Sequence, residues 1–300
     1  MNYKVSIAIC TYNRADLLKK CLDSLLFQIN TKDVEVLVVD NNSTDSTQTL
    51  VEAYRERHPY LKYIFEPKQG LSVARNVAWQ QSKSEWIAYL DDDGIPHNNY
   101  IERLLYVINN HDFDCYGGMY YAYYKDKRPK WISESFGTKE LIIPSIGLID
   151  KNTLSGGIFN IKKTVLEAAG GFKENYGMTG AKVAYGEESE LQYRVRAAGY
   201  KIGFDPDLKM DHIVAGYKLT LGWQLKREYA LFRDSPRLLR CDKTYPKLFK
   251  SFLYATFRRL PKLIGRFIVR KDYYWQNLIF DYLKPMIEVY GTMHNPLNKV

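Results

Sequence analysis

The chain has 300 residues, 46% of them hydrophobic, with 43 Lys/Arg against 34 Asp/Glu. That hydrophobic share supports one large domain, or one domain with an appended segment, and excludes a disordered chain. The net charge of +9 is concentrated in residues 223–300, which carry 16 Lys/Arg against 6 Asp/Glu; this argues against a nucleic-acid groove through the main domain and for a basic surface on a C-terminal segment.

In chain order, residues 4–9 (KVSIAI) read as a buried strand, and Ala15 to Phe27 follows with Leu17, Leu18, Cys21, Leu22, Leu25 and Leu26 at helical spacing. The alternation repeats. Val34 to Val39 is a β-branched strand bounded by Asp40-Asn41-Asn42-Ser43, and Thr44 to Arg57 is a helix. Leu61 to Phe65 is a strand, Leu71 to Gln81 a helix, and Trp86 to Leu90 a strand running into Asp91-Asp92-Asp93. Such alternation predicts a doubly wound α/β architecture, a Rossmann-like and mostly parallel sheet with helices on both faces. Ligands bind beyond the carboxyl ends of such strands, so the loops after the first, second and fourth strands should open on one crevice.

Past this half, Tyr116 to Tyr124 reads as a strand packing its rings on a sheet face. Ser155-Gly156-Gly157 is a Gly-rich segment, and Gly94 with Pro96 suggests a turn. Lys163 to Ala169 and Glu187 to Ala198 are helical, and Lys209 to Asp211 is a strand. Helical periodicity fills most of Trp223 to Tyr290, with interruptions expected at Pro236, Pro246, Pro261 and Pro285. The expected division is a catalytic domain over 1–222, with its halves about 1–95 and 96–222, and a helical segment over 223–300. Cys10, Cys21, Cys115 and Cys241 show no C-x-x-C pairing, which fits a reducing compartment. No secretory signal is expected, and no uncharged apolar run approaches the ~18 residues that span a bilayer. The expected location is cytoplasmic, with the inner face of the cell membrane as an alternative address.

Three adjacent aspartates at a strand end repel one another and call for a compensating cation. Their hard oxygens suit Mg²⁺ or Mn²⁺, which hold few protein carboxylates while bridging substrate phosphates. A solvated turn capping the next helix is the alternative. Asp40 could accept from a base N–H or a ribose hydroxyl, or serve as a turn cap. In Gly70-Leu71-Ser72-Val73-Ala74-Arg75-Asn76 a glycine, a hydroxyl and a cation open a helix, a combination suited to anion contact, unless Arg75 is a structural ion-pair partner. Glu187-Glu188-Ser189-Glu190 begins another helix, where the macrodipole favours negative charge; alternatively one carboxylate is a general base for an acceptor hydroxyl. His212 is either a structural histidine or an imidazole ligand to the cation.

Taken together, Cys10-Thr11-Tyr12-Asn13-Arg14, Val38 to Asp45, Gly70 to Asn76, Leu90 to Asp93, Gly186 to Leu191, and His212 form an ordered set that resembles inverting glycosyltransferase family 2, with its GT-A fold, over roughly residues 4–235. The resemblance implies that Thr11, Asn13 and Arg14 line a nucleotide pocket, that Asp40 with Asn42 contacts the nucleoside, and that Arg75 lies near it. It implies a D-x-D pair of Asp91 and Asp93, with Asp93 directly on the metal, Asp92 beside the donor and His212 completing metal or diphosphate binding. Glu188 matches the family's catalytic carboxylate, although relatives commonly carry aspartate there after a glutamate, so Glu187 stays in contention. Ser155 to Asn160 with Gly170-Gly171-Phe172 is similar to the family's segment between donor and acceptor sites. A nucleotide-sugar donor, probed first as a UDP-sugar, and a saccharide or lipid-linked acceptor are implied, with no nucleic-acid partner.

Lys247 to Arg270 interleaves apolar residues with Lys250, Arg258, Arg259, Lys262 and Arg266, as in a basic amphipathic helix pair that either lies in an anionic membrane interface or packs its stripe on the catalytic domain. Trp131 and Trp223 either stack on sugar faces or pack in a core. Two rival functions fit parts of the pattern. A sugar-nucleotidyltransferase would want a Gly- and Lys/Arg-rich first loop, where only Arg14 stands. A noncatalytic basic membrane-binding protein would leave the crevice carboxylates without a use.

Overall fold

The computed structural model describes residues 3–141, 143–180, 182–235 and 245–295. They divide into two compact units: Met1–Tyr123, Gly137–Gly180 and Glu187–Val214 form the first, and Tyr124–Phe136, Ala181–Gly186 and Ala215–Val300 the second.

The first unit begins β1 (Tyr3–Thr11), α1 (Ala15–Leu26), β2 (Val34–Asp40), α2 (Thr47–Arg55), β3 (Leu61–Phe65), α3 (Leu71–Gln81) and β4 (Ser84–Leu90). These strands pair in parallel in the order β3-β2-β1-β4. Every residue of β2 is buried, as expected of a strand covered on both faces. The period of two along β1 sends Val5, Ile7 and Ile9 into one core layer with Leu18, Leu22 and Leu25 of α1, and Ala8 into the opposite layer with Ala74 and Ala78 of α3. Each fully buried leucine in α1 contributes about 1.5–3 kcal/mol of transfer free energy.

The chain continues through β5 (Gly94–Pro96), α4 (Tyr100–Asn110), β6 (Cys115–Tyr123), β7 (Gly147–Leu148), β8 (Ile158–Lys162), α5 (Lys163–Ala169), α6 (Glu187–Ala197) and β9 (Ile202–Ile213). Among the described residues the sheet has nine strands. Its order runs on as β4-β8-β6-β9-β5, with β7 attached to β9. The sheet is parallel through β3-β2-β1-β4 and mixed beyond. There β8 runs antiparallel to β4 and β6, β6 is parallel to β9, and β5 is antiparallel to β9.

Several boundaries differ from those expected. Helix α2 starts at Thr47 rather than Thr44, after a turn in which Asp45 accepts from the Thr47 N–H at 3.0 Å and the Thr47 hydroxyl at 2.6 Å. The residues read as a turn at Gly94 and Pro96 form β5, which lies at the end of the sheet, where a proline is tolerated. The short strand expected over Lys209 to Asp211 is the end of the twelve-residue β9. Its pairing with β6 jumps from Gly118–Asp205 to Met119–Lys209, so Pro206-Asp207-Leu208 bulges out.

The second unit holds a 3₁₀ turn (Gly216–Leu219), α7 (Leu221–Arg233), α8 (Tyr245–Tyr254), a π turn (Ala255–Arg259), α9 (Leu260–Val269) and α10 (Trp275–Met293). Helix α7 lies along α10, joined by Lys284 to Glu228 at 2.9 Å. Of the expected interruptions, Pro236 lies outside the described residues, as does Cys241. Pro246 falls in the first turn of α8, where its missing N–H costs nothing. Pro261 is the second residue of α9, in its first turn, and Pro285 lies within α10 without ending it. Trp223 packs edge-on to Phe136 at 6.2 Å, and the Trp131 carbonyl accepts from the Asn277 side chain at 2.8 Å.

Candidate active site

The ends of β1, β2 and β4 meet in the first unit. The Thr11 hydroxyl at the end of β1 donates to Asp92 at 2.8 Å. Asn13, held at a φ of 52°, accepts from the Thr44 N–H at 2.7 Å, and its own N–H donates to the Ser43 hydroxyl at 2.9 Å. Asparagine is among the few residues that tolerate this left-handed backbone, as does Asn42 at a φ of 68°. The three loops therefore meet in direct bonds.

The three aspartates take separate directions. Asp92 is buried, accepting from Thr11 and from Arg14 Nη1 at 3.0 Å; burial raises its pKa and Arg14 opposes the rise. Asp93 is also buried, with its Oδ2 at 3.5 Å from Arg14 Nη1 and 3.3 Å from His212 Nε2. Asp91 keeps a third of its side chain exposed, 3.6 Å from Arg75 Nη2. Burial, and after it the Asp93 charge, pushes the Asp91 carboxyl up to about 6. His212 comes from β9, beside Gly94 in the pairing with β5, and its imidazole stacks on Tyr120 of β6 at 4.8 Å.

The donor set suits a hard divalent cation. Among the described residues no group of three or more His, Cys, Asp and Glu side chains converges as a metal cage. Asp93 and His212 offer an oxygen and a nitrogen side by side, a number of protein ligands that fits an ion completing its sphere with water and diphosphate oxygens.

Asp40 is buried with both oxygens engaged. Oδ1 accepts from the Ser43 N–H and Oδ2 from the Tyr63 hydroxyl, each at 2.8 Å, the geometry of a turn cap. Arg75 is only 4% exposed; it donates to Glu187 at 3.0 Å and to the Gly156 carbonyl at 3.3 Å, with Phe172 and Tyr89 beneath its guanidinium. Its helix is fastened along one side. Ser72 donates to the Tyr176 carbonyl, and Asn76 exchanges bonds with the backbone of Phe172, all at 2.8 Å. The start of α3 is thus occupied by protein partners, including the Met178 carbonyl, which accepts from the Leu71 N–H.

At α6 the two neighbouring glutamates part. Glu187 is buried against Arg75, while Glu188 is half-exposed. Burial, and after it the charge of Glu188, raises Glu187 to about 8 against the pull of Arg75. Arg75 thereby joins Asp91 to the first turn of α6, where Glu188 sits.

Three participants were not singled out in the sequence. Tyr120 carries the face of His212, and alternation along β6 is the only sequence signal that separates it from its neighbouring tyrosines. Asn41 donates to the Lys68 carbonyl at 2.8 Å and accepts from the Gly70 N–H at 2.7 Å, tying the β2 loop to the start of α3. Gly157 admits the aspartate turn: a Cβ there would lie 2.3 Å from Asp91 Oδ2 and 2.7 Å from the Tyr120 ring.

Residues 6–169 match the protein-family model described as Glycosyl transferase family 2. The chain is 25% identical over 238 residues to the succinoglycan biosynthesis protein ExoM of Rhizobium meliloti, covering 78% of this chain and 75% of that one. It is 26% identical over 262 residues to the glycosyltransferase AglE of Haloferax volcanii, covering 86% and 82%. Among solved structures, the mannosyltransferase PcManGT from Pyrobaculum calidifontis, in complex with GDP-Man and Mn²⁺, is similar with a TM-score of 0.60 at 18% identity, over 98% of this chain and 86% of that one. S. aureus TarS 1-349, in complex with UDP-GlcNAc, gives 0.58 at 17% identity, over 99% and 90%. The likeness to these structures shows the fold, that of GT-A glycosyltransferases.

Proposed function

The chain belongs to glycosyl transferase family 2, and from that premise we propose that it is an inverting transferase that moves a sugar from a nucleotide-diphosphate sugar to the hydroxyl of a saccharide or lipid-linked acceptor, with a divalent cation at the donor site. The observation that supports the reading is the ion-paired bridge from Asp91 through Arg75 to Glu187, which links the aspartate turn to the first turn of α6, the turn that carries the half-exposed Glu188.

In this reading Glu188 takes the proton of the acceptor hydroxyl. The freed oxygen bonds to the anomeric carbon as the bond from that carbon to the diphosphate oxygen breaks on the opposite face, so the configuration inverts. Mn²⁺ or Mg²⁺, held by Asp93 and His212, would supply charge stabilisation to the departing diphosphate. Arg14 holds Asp92 and Asp93 in place. Asp40, fixed by Ser43 and Tyr63, keeps lone pairs for a nucleoside N–H or hydroxyl, with Thr11, Asn13 and Asn42 shaping the pocket wall. Glu187, committed to Arg75, acts as a positioning residue, which favours Glu188 as the base.

Synthesis of a polysaccharide or glycoconjugate of bacterial type is the role that fits, supported by the similarity to the succinoglycan biosynthesis protein. UDP is the nucleotide we test first; the two similar structures, with UDP-GlcNAc and GDP-Man, make GDP-sugars the comparison. The experiment is turnover of a panel of UDP- and GDP-sugars with Mn²⁺ by the chain and by its Glu188→Gln variant. Release of nucleotide diphosphate by the wild type and its loss in the variant are expected; equal turnover by both would sink the assignment of the base.

A further inference from the structure

The second unit presents a surface that carries none of the residues assigned above to glycosyl transfer. From Tyr245 to Lys271 the sequence holds eight Lys/Arg and no Asp or Glu. The same stretch, α8, the π turn and α9, leaves large apolar side chains in solvent: Phe249 is 62% exposed, Phe257 71%, Ile268 76% and Val269 80%, with Phe252, Ile264 and Phe267 exposed beside them. These side chains are not waiting for the unit's own core. The same helices already carry packed positions, with Ala255 and Leu263 buried and the Thr256 hydroxyl 3.0 Å from the hydroxyl of Tyr282 on α10.

The spacing 249, 252, 253, 257, 260, 264, 267, 268 follows one helical face. The step from Leu253 to Phe257 and on to Leu260 crosses the π turn. Lys250, Arg258 and Lys262 are exposed on this element, and among the described residues none has a carboxylate within ion-pair distance. Arg266 lies over the Tyr273 ring, 5.5 Å from its centroid.

We propose that α8 and α9 dock the protein on an anionic lipid surface, the aromatic and aliphatic stripe entering the interfacial zone and the basic side chains meeting lipid phosphates. Among the described residues no helix is long and apolar enough to cross a membrane, so the attachment is to one leaflet. The charge alone would equally suit a nucleic acid. The exposed apolar stripe decides for a bilayer, since a phosphodiester backbone gains nothing from a row of uncharged hydrophobic side chains, whereas an interfacial helix needs both faces.

Binding is measured on the full chain by co-sedimentation with vesicles of phosphatidylcholine, with and without phosphatidylglycerol, so the outcome does not depend on turnover. Partitioning onto the phosphatidylglycerol vesicles, absent with phosphatidylcholine alone and weakened by added salt, is expected. The triple variant Arg258→Gln, Lys262→Gln, Arg266→Gln should bind about fivefold more weakly per charge removed. Phe249→Ser with Phe257→Ser and Ile268→Ser, at unchanged charge, should also lose binding, with circular dichroism checking that each variant is folded. Apolar variants that bind as wild type overturn the proposal, as does capture by duplex DNA without vesicle binding, or a dimer in light scattering that buries the stripe. If a variant does not fold, wild-type binding that ignores lipid charge and salt is itself sufficient to overturn it.

Discussion

Arg75 and Glu187 form a buried ion pair at 3.0 Å, and it is this bond that holds the first turn of α6 to α3. Removing the guanidinium leaves the buried Glu187 carboxyl, already raised to about 8, protonated and without its partner, which costs about 1–3 kcal/mol. Arg75→Ala is expected to lower stability by that amount in urea unfolding and to lose activity with it. Arg75→Lys should recover part of the stability, since one ammonium can reach Glu187 but cannot also hold the Gly156 carbonyl in the same plane.

Glu188→Gln preserves shape and removes the base. A fall in kcat of about 10²–10⁴-fold is expected, with donor affinity by calorimetry unchanged. Glu187→Gln should behave differently, since it weakens a bond to Arg75 without touching the acceptor: unfolding shifts and kcat falls less. The reverse ranking would exchange the two assignments.

Chelation addresses the cation. Treatment with EDTA should abolish turnover and added Mn²⁺ should restore it. In Asp93→Ala, Mn²⁺ measured by electron paramagnetic resonance in the presence of nucleotide diphosphate should no longer be retained. Full turnover by the chelated wild type would remove the metal from the mechanism.

Gly157→Ala tests the close approach of backbone to Asp91. Its Cβ would require Asp91 and the Tyr120 ring to move, so donor binding should weaken and stability fall by about 1–3 kcal/mol. Gly222→Ala is the control. That glycine lies in α7 with nothing within 4 Å of an added Cβ, and alanine there should stabilise the helix by up to about 1 kcal/mol in thermal unfolding.

Acid sensitivity is expected at Glu190. Burial pushes its carboxyl up, but the bonds from Arg194, 2.7 Å away, and from Lys173, also 2.7 Å away, outweigh burial and set it below the usual glutamate value. A depressed carboxyl stabilises the fold fully above the unfolded pKa of about 4.3, and that contribution is lost as pH falls through the folded value. Glu190→Gln should therefore lower Tm at pH 7 and make little difference at pH 3.

The parallel half of the sheet was legible because its strands are short, mostly apolar runs, and β1, β2 and β3 each lead into a helix. Strand β9 was not, because Asp205-Pro206-Asp207 reads as a turn and only the partner strand β6 reveals that those residues bulge from a continuous ladder. Strand β8 and helix α4 escaped because their apolar residues lie between glycine- and asparagine-rich stretches that draw the eye to turns. In the candidate site, the acidic turn and Arg14 stood out by residue type. What sequence could not distinguish was which of two adjacent glutamates is buried, since a helix sends successive residues about 100° apart and only the position of Arg75 decides which one faces inward.

The π turn at Ala255–Arg259 takes up one residue more than an ordinary turn would, so the phase of the C-terminal stripe depends on where a change of length falls. Losing one residue from that turn as it relaxes to ordinary winding would leave Ile264 and Ile268 in phase with Phe249, whereas a one-residue deletion within the ordinary winding of α8 or α9 would rotate everything downstream by about 100°. Among homologous chains, one-residue insertions and deletions should therefore fall at the π turn rather than within α8 or α9.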